Sequence, residues 1–211
     1  MDLEPVLAPQ ISRKVQPPFW KSANLNLKEN NQMNMVDPGY LLNGSLSQQK
    51  VYKALRELRV FERLRHFDPV LAGTFPLDLA GPESDLDILC EVDDHDHFKK
   101  AVTAFFDQEK SFNIKEKLIK GKAVIIARFQ YIDLPFEIFG QDVPVIHQDA
   151  YRHLLVEKHL LQHQLKGSEP TLKALKQKGK STEEAFAFLL KMEGDPYEGL
   201  IALGKELGLY S

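Results

Sequence analysis

The sequence predicts an α+β fold, in which a mixed β-sheet with covering helices is followed by a helical C-terminal region. Three observations support this class. Apolar residues recur at helical spacing early in the chain, strand-like apolar runs occupy its middle, and helix start and stop signals punctuate its last third. The predicted strands cover residues 70–72, 85–92, 112–119, 123–131 and 134–139, with a hairpin turn at 120–122.

Residues 1–38 are predicted to form a flexible N-terminal tail. They hold five of the twelve prolines and show no sustained periodicity. So few apolar residues cannot offset the entropy that ordering this segment would cost. The alternative is that residues 17–20, which include the only tryptophan, Trp20, dock on the domain or on a partner.

Residues 39–145 are predicted to form the domain that holds the sheet. Its first helix begins at Ser45, which makes a capping-box pattern with Gln48, and runs to about residue 66. Asp68-Pro69 ends this helix, because a residue before proline disfavours the helical conformation. A second helix begins at the acidic run 93–96, and its apolar stripe comprises Phe98, Ala101, Val102 and Phe105.

Residues 146–211 are predicted to be helical, with helices over about 148–165, 170–177, 182–192 and 196–207. Serine or aspartate stands near the expected start of the last three helices, and glycine stands where C-terminal stops belong. These signals are Ser168, Ser181 and Asp195, and Gly167, Gly179, Gly194 and Gly208.

Composition excludes several classes of protein. The chain has 211 residues, with 27 Lys and Arg against 30 Asp and Glu, so it lacks the basic excess that a duplex-binding surface needs. The single cysteine, Cys90, cannot form an internal disulfide, and a reducing, cytoplasmic compartment is therefore expected. No apolar run approaches the roughly 18 residues of a membrane span, so no membrane partner is expected.

Two aspartates stand out inside an otherwise apolar strand. Asp85 and Asp87 are two positions apart, so both side chains point to one face of the strand, while Leu86 and Ile88 point to the other. Like charges so close repel each other unless a cation lies between them. Hard carboxylate oxygens favour magnesium or manganese, and the pair therefore predicts a divalent metal site.

A third acid, Glu137, is flanked by the apolar Phe136 and Ile138. If its strand lies next to the strand of the two aspartates, the three carboxylates form a cluster able to hold two metals about 4 Å apart and to promote in-line attack at phosphorus. Gly73-Thr74 follows the preceding strand and offers what phosphate needs: a close backbone approach, exposed N–H donors and a small hydroxyl.

This layout resembles the nucleotidyltransferase superfamily, which includes polymerase-beta-like and antibiotic-modifying enzymes. The resemblance covers roughly residues 45–140 and rests on Gly73-Thr74, Asp85, Asp87 and Glu137. Within the superfamily, residues 84–88, 137–141 and 151–153 look like a small bacterial branch. The sequence departs from the common pattern at two positions, where Thr74 replaces serine and Glu137 replaces aspartate.

The resemblance implies transfer of a nucleoside monophosphate from a nucleoside triphosphate, ATP or a related one, to a hydroxyl of a small molecule or a protein. It implies Mg²⁺ or Mn²⁺ as the cofactor. The implied catalytic residues and metal ligands are Asp85, Asp87 and Glu137, and the implied nucleotide-binding residues are Gly73, Thr74 and Ser84. The rival hypothesis is a catalytically inactive member that binds nucleotide or a partner protein through the same cleft.

Other side chains are weaker candidates. Asp133 shares the parity of Glu137 and is an alternative third acid. His159 and His163 have a metal-capable spacing but no evident carboxylate partner, and they are interpreted as exposed helix residues. Further candidates are His95 and His97, interpreted as part of a solvated helix start, and Lys122, Arg152 and Lys158, which could meet a triphosphate.

Overall fold

The structure is a computed structural model and describes residues 37–211. The predicted tail and the alternative docking of Trp20 therefore lie outside the described residues, except for positions 37 and 38. The described chain opens with a 3₁₀ turn, Pro38–Asn43, capped by Asp37. Helix α1, Leu46–Glu57, follows, and Ser45 and Gln48 form the predicted capping box, each side chain accepting a hydrogen bond from the other residue's backbone N–H.

Five strands form one mixed sheet in the order β1-β2-β5-β4-β3. Strands β2 and β5 are parallel, and all other neighbours are antiparallel. The strand bounds are Val70–Leu71 for β1, Leu86–Glu91 for β2, Lys110–Ile119 for β3, Lys122–Tyr131 for β4 and Leu134–Gln141 for β5. Helices cover this sheet and a helical region follows it, which confirms the predicted α+β fold class.

The first predicted helix is interrupted, which corrects its expected end near residue 66. Arg59 adopts a left-handed conformation at φ 52°, a short helix α2 follows at Val60–Arg63, and a 3₁₀ turn follows at Arg65–Phe67. Leu58 and Val60 are both buried. Positions two apart on a continuous helix point in nearly opposite directions, so the break is what lets both side chains reach the core.

Helix α3, His95–Phe106, covers one face of the sheet. Its buried stripe ends on Phe106 and not on the predicted Phe105, which is 38% exposed at the rim beneath the guanidinium of Arg63. Phe106 is the first of three stacked rings and lies 5.0 Å from Phe129, which lies 4.9 Å from Phe136. This stack joins α3 to β4 and β5.

The helical region packs on the opposite face of the sheet. Its helices are α4 at Asp149–Gln162, α5 at Glu169–Gln177, α6 at Thr182–Leu190 and α7 at Pro196–Glu206. Leu89 of β2 and Phe139 of β5 belong to the apolar cluster that these helices form. None of the helices between residues 37 and 211 has the length and apolar character that a membrane span requires.

Alternation along the strands fixes where the strand acids point. Asp87 has the parity of Leu89, and Glu137 has the parity of Phe139, so both acids lie on the face that the C-terminal helices cover. Ile88 and Ile138 are fully buried against α3 and its neighbours on the other face. The C-terminal helices therefore cover the same face of the sheet that carries Asp87 and Glu137.

Candidate active site

A cleft of about 1080 Å³ lies between this sheet face and the C-terminal helices. It is lined by all six residues that the sequence selected, namely Gly73, Thr74, Ser84, Asp85, Asp87 and Glu137. The sequence left open whether the strands of Asp87 and Glu137 are neighbours. The structure answers this, because β2 and β5 pair in parallel with Asp87 directly opposite Glu137.

Asp87 is the most strongly perturbed carboxyl of this group. Burial raises its pKa to about 8, and the charges of Asp85 and Glu137 add to the shift. Asp85 itself lies in the loop just before β2 and is exposed at the cleft mouth. Near neutral pH, Asp87 therefore keeps its proton in the absence of a cation, and a cation in the cleft would favour its ionised form.

Gly73 packs directly against this carboxyl. Its φ is +68°, in the left-handed region, and a Cβ built on Gly73 would collide with Asp87 Oδ2 and lie 3.1 Å from its Cγ. The neighbouring Thr74 is 9% exposed, and its carbonyl accepts from the N–H groups of Leu77 and Leu79. A glycine is thus required here, both for the backbone conformation and for the close approach to Asp87.

Ser84 has a structural task in the turn before the aspartates. Its hydroxyl accepts a hydrogen bond from the backbone N–H of Gly81 at 2.9 Å. This bond orders the turn that presents Asp85 to the cleft. The nucleotide-binding role of Ser84 stays a prediction.

Glu137 is held by an arginine that the sequence reasoning did not select. Arg128 lies opposite Glu137 in the antiparallel β4–β5 pair, and its Nε donates to Glu137 Oε2 at 2.6 Å. Its Nη2 forms an ion pair with the same oxygen. Within residues 37–211, no group of three or more His, Cys, Asp or Glu side chains is arranged to hold a metal ion. The metal-binding role of Asp85, Asp87 and Glu137, which line one cleft, stays a prediction.

The opposite wall of the cleft carries a set of charges that the sequence did not reveal. Lys176 of α5 donates to Thr182 Oγ1 at 2.7 Å, and burial lowers its pKa although Asp85, Asp87 and two helix glutamates oppose the shift. One of those glutamates, Glu157, is buried on α4 with Oε1 unpartnered, and burial raises its pKa well above the ordinary value. Long-range packing of helices brings these side chains to the cleft, and no local sequence pattern marks them.

Two further lysines close one side of the cleft from the β3–β4 hairpin. Lys120 forms ion pairs with Asp149 at 3.1 Å and with Glu198 at 2.7 Å, which ties the hairpin to the starts of α4 and α7. Lys122 lines the cleft beside it. Of the basic side chains predicted to meet a triphosphate, Lys122 is therefore well placed.

The other candidates lie elsewhere. Asp133 is 85% exposed and pairs with Lys50 at 3.7 Å, outside the cleft lining. Arg152 and Lys158 do not line the cleft, and the Arg152 guanidinium lies over the ring of Tyr210. All four candidate histidines have contacts outside the cleft: His159 lies against His163, and His97 contacts Phe67. His95 faces Glu116 at 3.7 Å.

The fold and the cleft define an α+β protein whose sheet presents carboxylates to a helical C-terminal region. Residues 53–203 match the model of the family described as Domain of unknown function (DUF4269), so the chain belongs to this family. A comparison with curated proteins finds no match.

Three solved structures are similar to this chain. The structure of the GLD-2/RNP-8 complex has a TM-score of 0.45 and 11% identity, covering 73% of this chain and 63% of that one. Cid1, described as having RNA terminal uridylyl transferase activity, has a TM-score of 0.41 and 15% identity, covering 66% of this chain and 44% of that one. A cytoplasmic RNA terminal U-transferase has a TM-score of 0.40 and 17% identity, covering 66% and 43%. This chain thus spans less than two thirds of the length of each solved chain.

Proposed function

We propose that this protein transfers a nucleoside monophosphate from a nucleoside triphosphate, with ATP as the first candidate, to a hydroxyl of a small molecule or protein, with Mg²⁺ or Mn²⁺ as cofactor. The observation that supports this is the pairing of Asp87 with Glu137 on the cleft face, beside Asp85 and beneath Gly73. The sequence motif and the register of two neighbouring strands point to the same chemistry.

The carboxylates on β2 and in the loop before it suit a divalent ion. Asp85 and Asp87 offer hard oxygen donors, which Mg²⁺ and Mn²⁺ prefer. The pKa of Asp87 is raised because its ionised form is unfavourable in the cleft, and a nearby cation would stabilise that form. Asp85 and Asp87 would hold the ion, and the bound ion would neutralise charge on the phosphates during transfer.

Both walls of the cleft would contact a bound triphosphate. On the sheet side, the turn at Gly73 and Thr74 lets the backbone approach an anion closely. On the helix side, Lys173, Lys176 and Lys180 supply positive charge. The proposal therefore keeps the predicted division of the chain, with residues 39–145 carrying the carboxylates and residues 146–211 carrying the opposing lysines.

Glu137 is the carboxylate proposed to act on the acceptor. Phe136 and Ile138 are buried on the other face, so the side chain of Glu137 must point to the cleft. A carboxylate at this position can accept the proton of an acceptor hydroxyl while the oxygen of that hydroxyl attacks the α-phosphorus. The bond to pyrophosphate then breaks, and pyrophosphate leaves with the departing electron pair.

The test is transfer of label from α-labelled ATP to a panel of acceptors. Glu137→Gln keeps size and hydrogen bonding but removes the charge, so we expect nucleotide binding within about tenfold of wild type and transfer lowered by at least roughly a hundredfold. Asp133→Asn is the matched control, because Asp133 is an exposed acid in the turn between β4 and β5, outside the cleft. Equal transfer by wild type and Glu137→Gln would contradict the assignment.

One observation favours a second candidate, a catalytically inactive protein that binds nucleotide or a partner through the same cleft. Arg128 occupies Oε2 of Glu137, and this oxygen is then not available to an acceptor hydroxyl. This candidate predicts that Mg²⁺ and ATP stabilise the wild-type protein while no acceptor in the panel receives label. Transfer by the wild type would exclude it.

A further inference from the structure

Three neighbouring strands place charged side chains in one row across the cleft face. Asp87 on β2 is the parallel register partner of Glu137 on β5, and Glu137 is the antiparallel register partner of Arg128 on β4. Register partners on adjacent strands share a face, so Glu137 stands between a carboxyl and a guanidinium. Its side chain is 17% exposed, whereas that of Arg128 is 55% exposed.

Arg128 uses two of its nitrogens on a single carboxylate oxygen. Nε and Nη2 both bind Glu137 Oε2, and the bond from Nε is 2.6 Å long. A divalent ion held by Asp85 and Asp87 would need Glu137 to complete a three-carboxylate set. A metal ion and a guanidinium repel each other, so the charge of Arg128 beside Glu137 opposes the binding of a cation to this carboxylate.

The exposure of Arg128 makes the pair easy to exchange. Water can solvate the guanidinium when it releases Glu137, because more than half of the Arg128 side chain already faces solvent. The carboxylate of Glu137 would at the same time move toward a cation beside Asp87. Without that cation, the charge of Glu137 repels the ionised carboxyl of Asp87. Binding of the metal and pairing with Arg128 are therefore competing uses of one carboxylate.

We propose that Arg128 is a positioning residue that controls whether Glu137 joins Asp85 and Asp87 as a ligand of a divalent cation. Arg128 pairs with Glu137, and a cation bound beside Asp87 would draw Glu137 out of that pair. The inference rests on the proposed function only for the identity of the metal ligands, and it makes no use of nucleotide or transfer.

The test is Mn²⁺ binding to the full chain without nucleotide, followed by the electron paramagnetic resonance signal of free Mn²⁺. Removing the competitor with Arg128→Gln should tighten Mn²⁺ binding by at least about fivefold, the lower end of ordinary coupling between two ligands. The same change made in a Glu137→Gln background should alter binding by less than about twofold, the scatter expected of uncoupled sites. This second comparison distinguishes tighter Mn²⁺ binding that depends on Glu137 from tighter binding caused only by the loss of a positive charge.

Arg59→Gln is the matched control. Arg59 also donates from Nε to a glutamate, Glu62, but this exposed pair lies at the α1–α2 break, outside the cleft lining. Its removal should leave Mn²⁺ binding within about twofold of wild type. The proposal is overturned if Arg128→Gln binds Mn²⁺ no more tightly than wild type, if it shows no measurable binding, or if its gain persists in the Glu137→Gln background. Because no transfer is measured, a protein without activity can still pass this test, and an active one can fail it.

Discussion

Replacing Gly73 with alanine tests the contact on which the candidate site is built. Gly73 has a φ of +68°, and a Cβ there would collide with Asp87 Oδ2 and lie 3.5 Å from Asp87 Cβ. Asp87 cannot easily move away, because its side chain is largely buried beside Glu137. The substitution therefore has two costs: the backbone strain of an alanine at positive φ, and the collision of its Cβ with Asp87.

Gly121 allows the two costs to be separated. It lies in the β3–β4 hairpin turn at a similar φ of +77°, and a Cβ built there meets nothing within 4 Å. A non-glycine residue in the left-handed conformation costs about 1–2 kcal/mol, and this is the loss of unfolding free energy expected for Gly121→Ala. Overpacking adds about 1–3 kcal/mol, so Gly73→Ala should lose about 2–5 kcal/mol.

Urea unfolding of both variants measures these losses. We expect Gly73→Ala to lose more stability than Gly121→Ala, and we expect the excess to vanish when Gly73→Ala is made in an Asp87→Ala background, because the collision partner is then gone. Equal losses for the two glycine variants would refute the close approach of Gly73 to Asp87. An excess that survives in the Asp87→Ala background would assign the conflict to another neighbour.

Two further predictions concern the aspartates. Because the folded protein raises the pKa of Asp87 from 3.8 to about 8, the folded state binds a proton more tightly than the unfolded state, so Asp87 lowers stability progressively as pH rises through that window. Asp87→Asn should therefore be more stable than wild type, by a margin that grows to several kcal/mol across the window in urea unfolding, and a margin independent of pH would contradict this. Mg²⁺ with ATP at about a hundredfold excess over the dissociation constant should stabilise wild type by about 2.7 kcal/mol in thermal unfolding. The Asp85→Asn, Asp87→Asn double variant should lose this response, and an equal response would place the nucleotide and metal elsewhere.

Local patterns were enough to predict most elements. The capping box at Ser45 and Gln48, the hairpin turn at 120–122 and the cap at Ser181 depend on residues only a few positions apart, and the structure has all three. The break at Arg59 escaped prediction, because it serves the burial of Leu58 and Val60 against distant parts of the core. A helical pattern in the sequence cannot show a tertiary requirement of that kind.

The choice between Phe105 and Phe106 has the same explanation. Helical spacing puts Phe105 close to the direction of Phe98 and Phe106 at the edge of the apolar stripe of α3, so spacing alone favours Phe105. The ring of Phe129 on β4 stacks on Phe106, whereas the guanidinium of Arg63 lies over both rings and does not distinguish them. The neighbour across the interface decides which ring is buried.

The sequence by itself determined which way the acids point. Alternation along an extended strand is a local property, so the apolar neighbours of Asp87 and Glu137 turn both carboxyls to one face wherever the strands lie in the fold. Tertiary structure alone decided that β2 and β5 are parallel neighbours in that register, that Arg128 reaches Glu137 from β4, and that Lys176 faces the aspartates from α5. The physical reason is distance along the chain: strand order and helix packing are settled by burial of the whole core, and a short segment carries no record of which distant segment will pack against it.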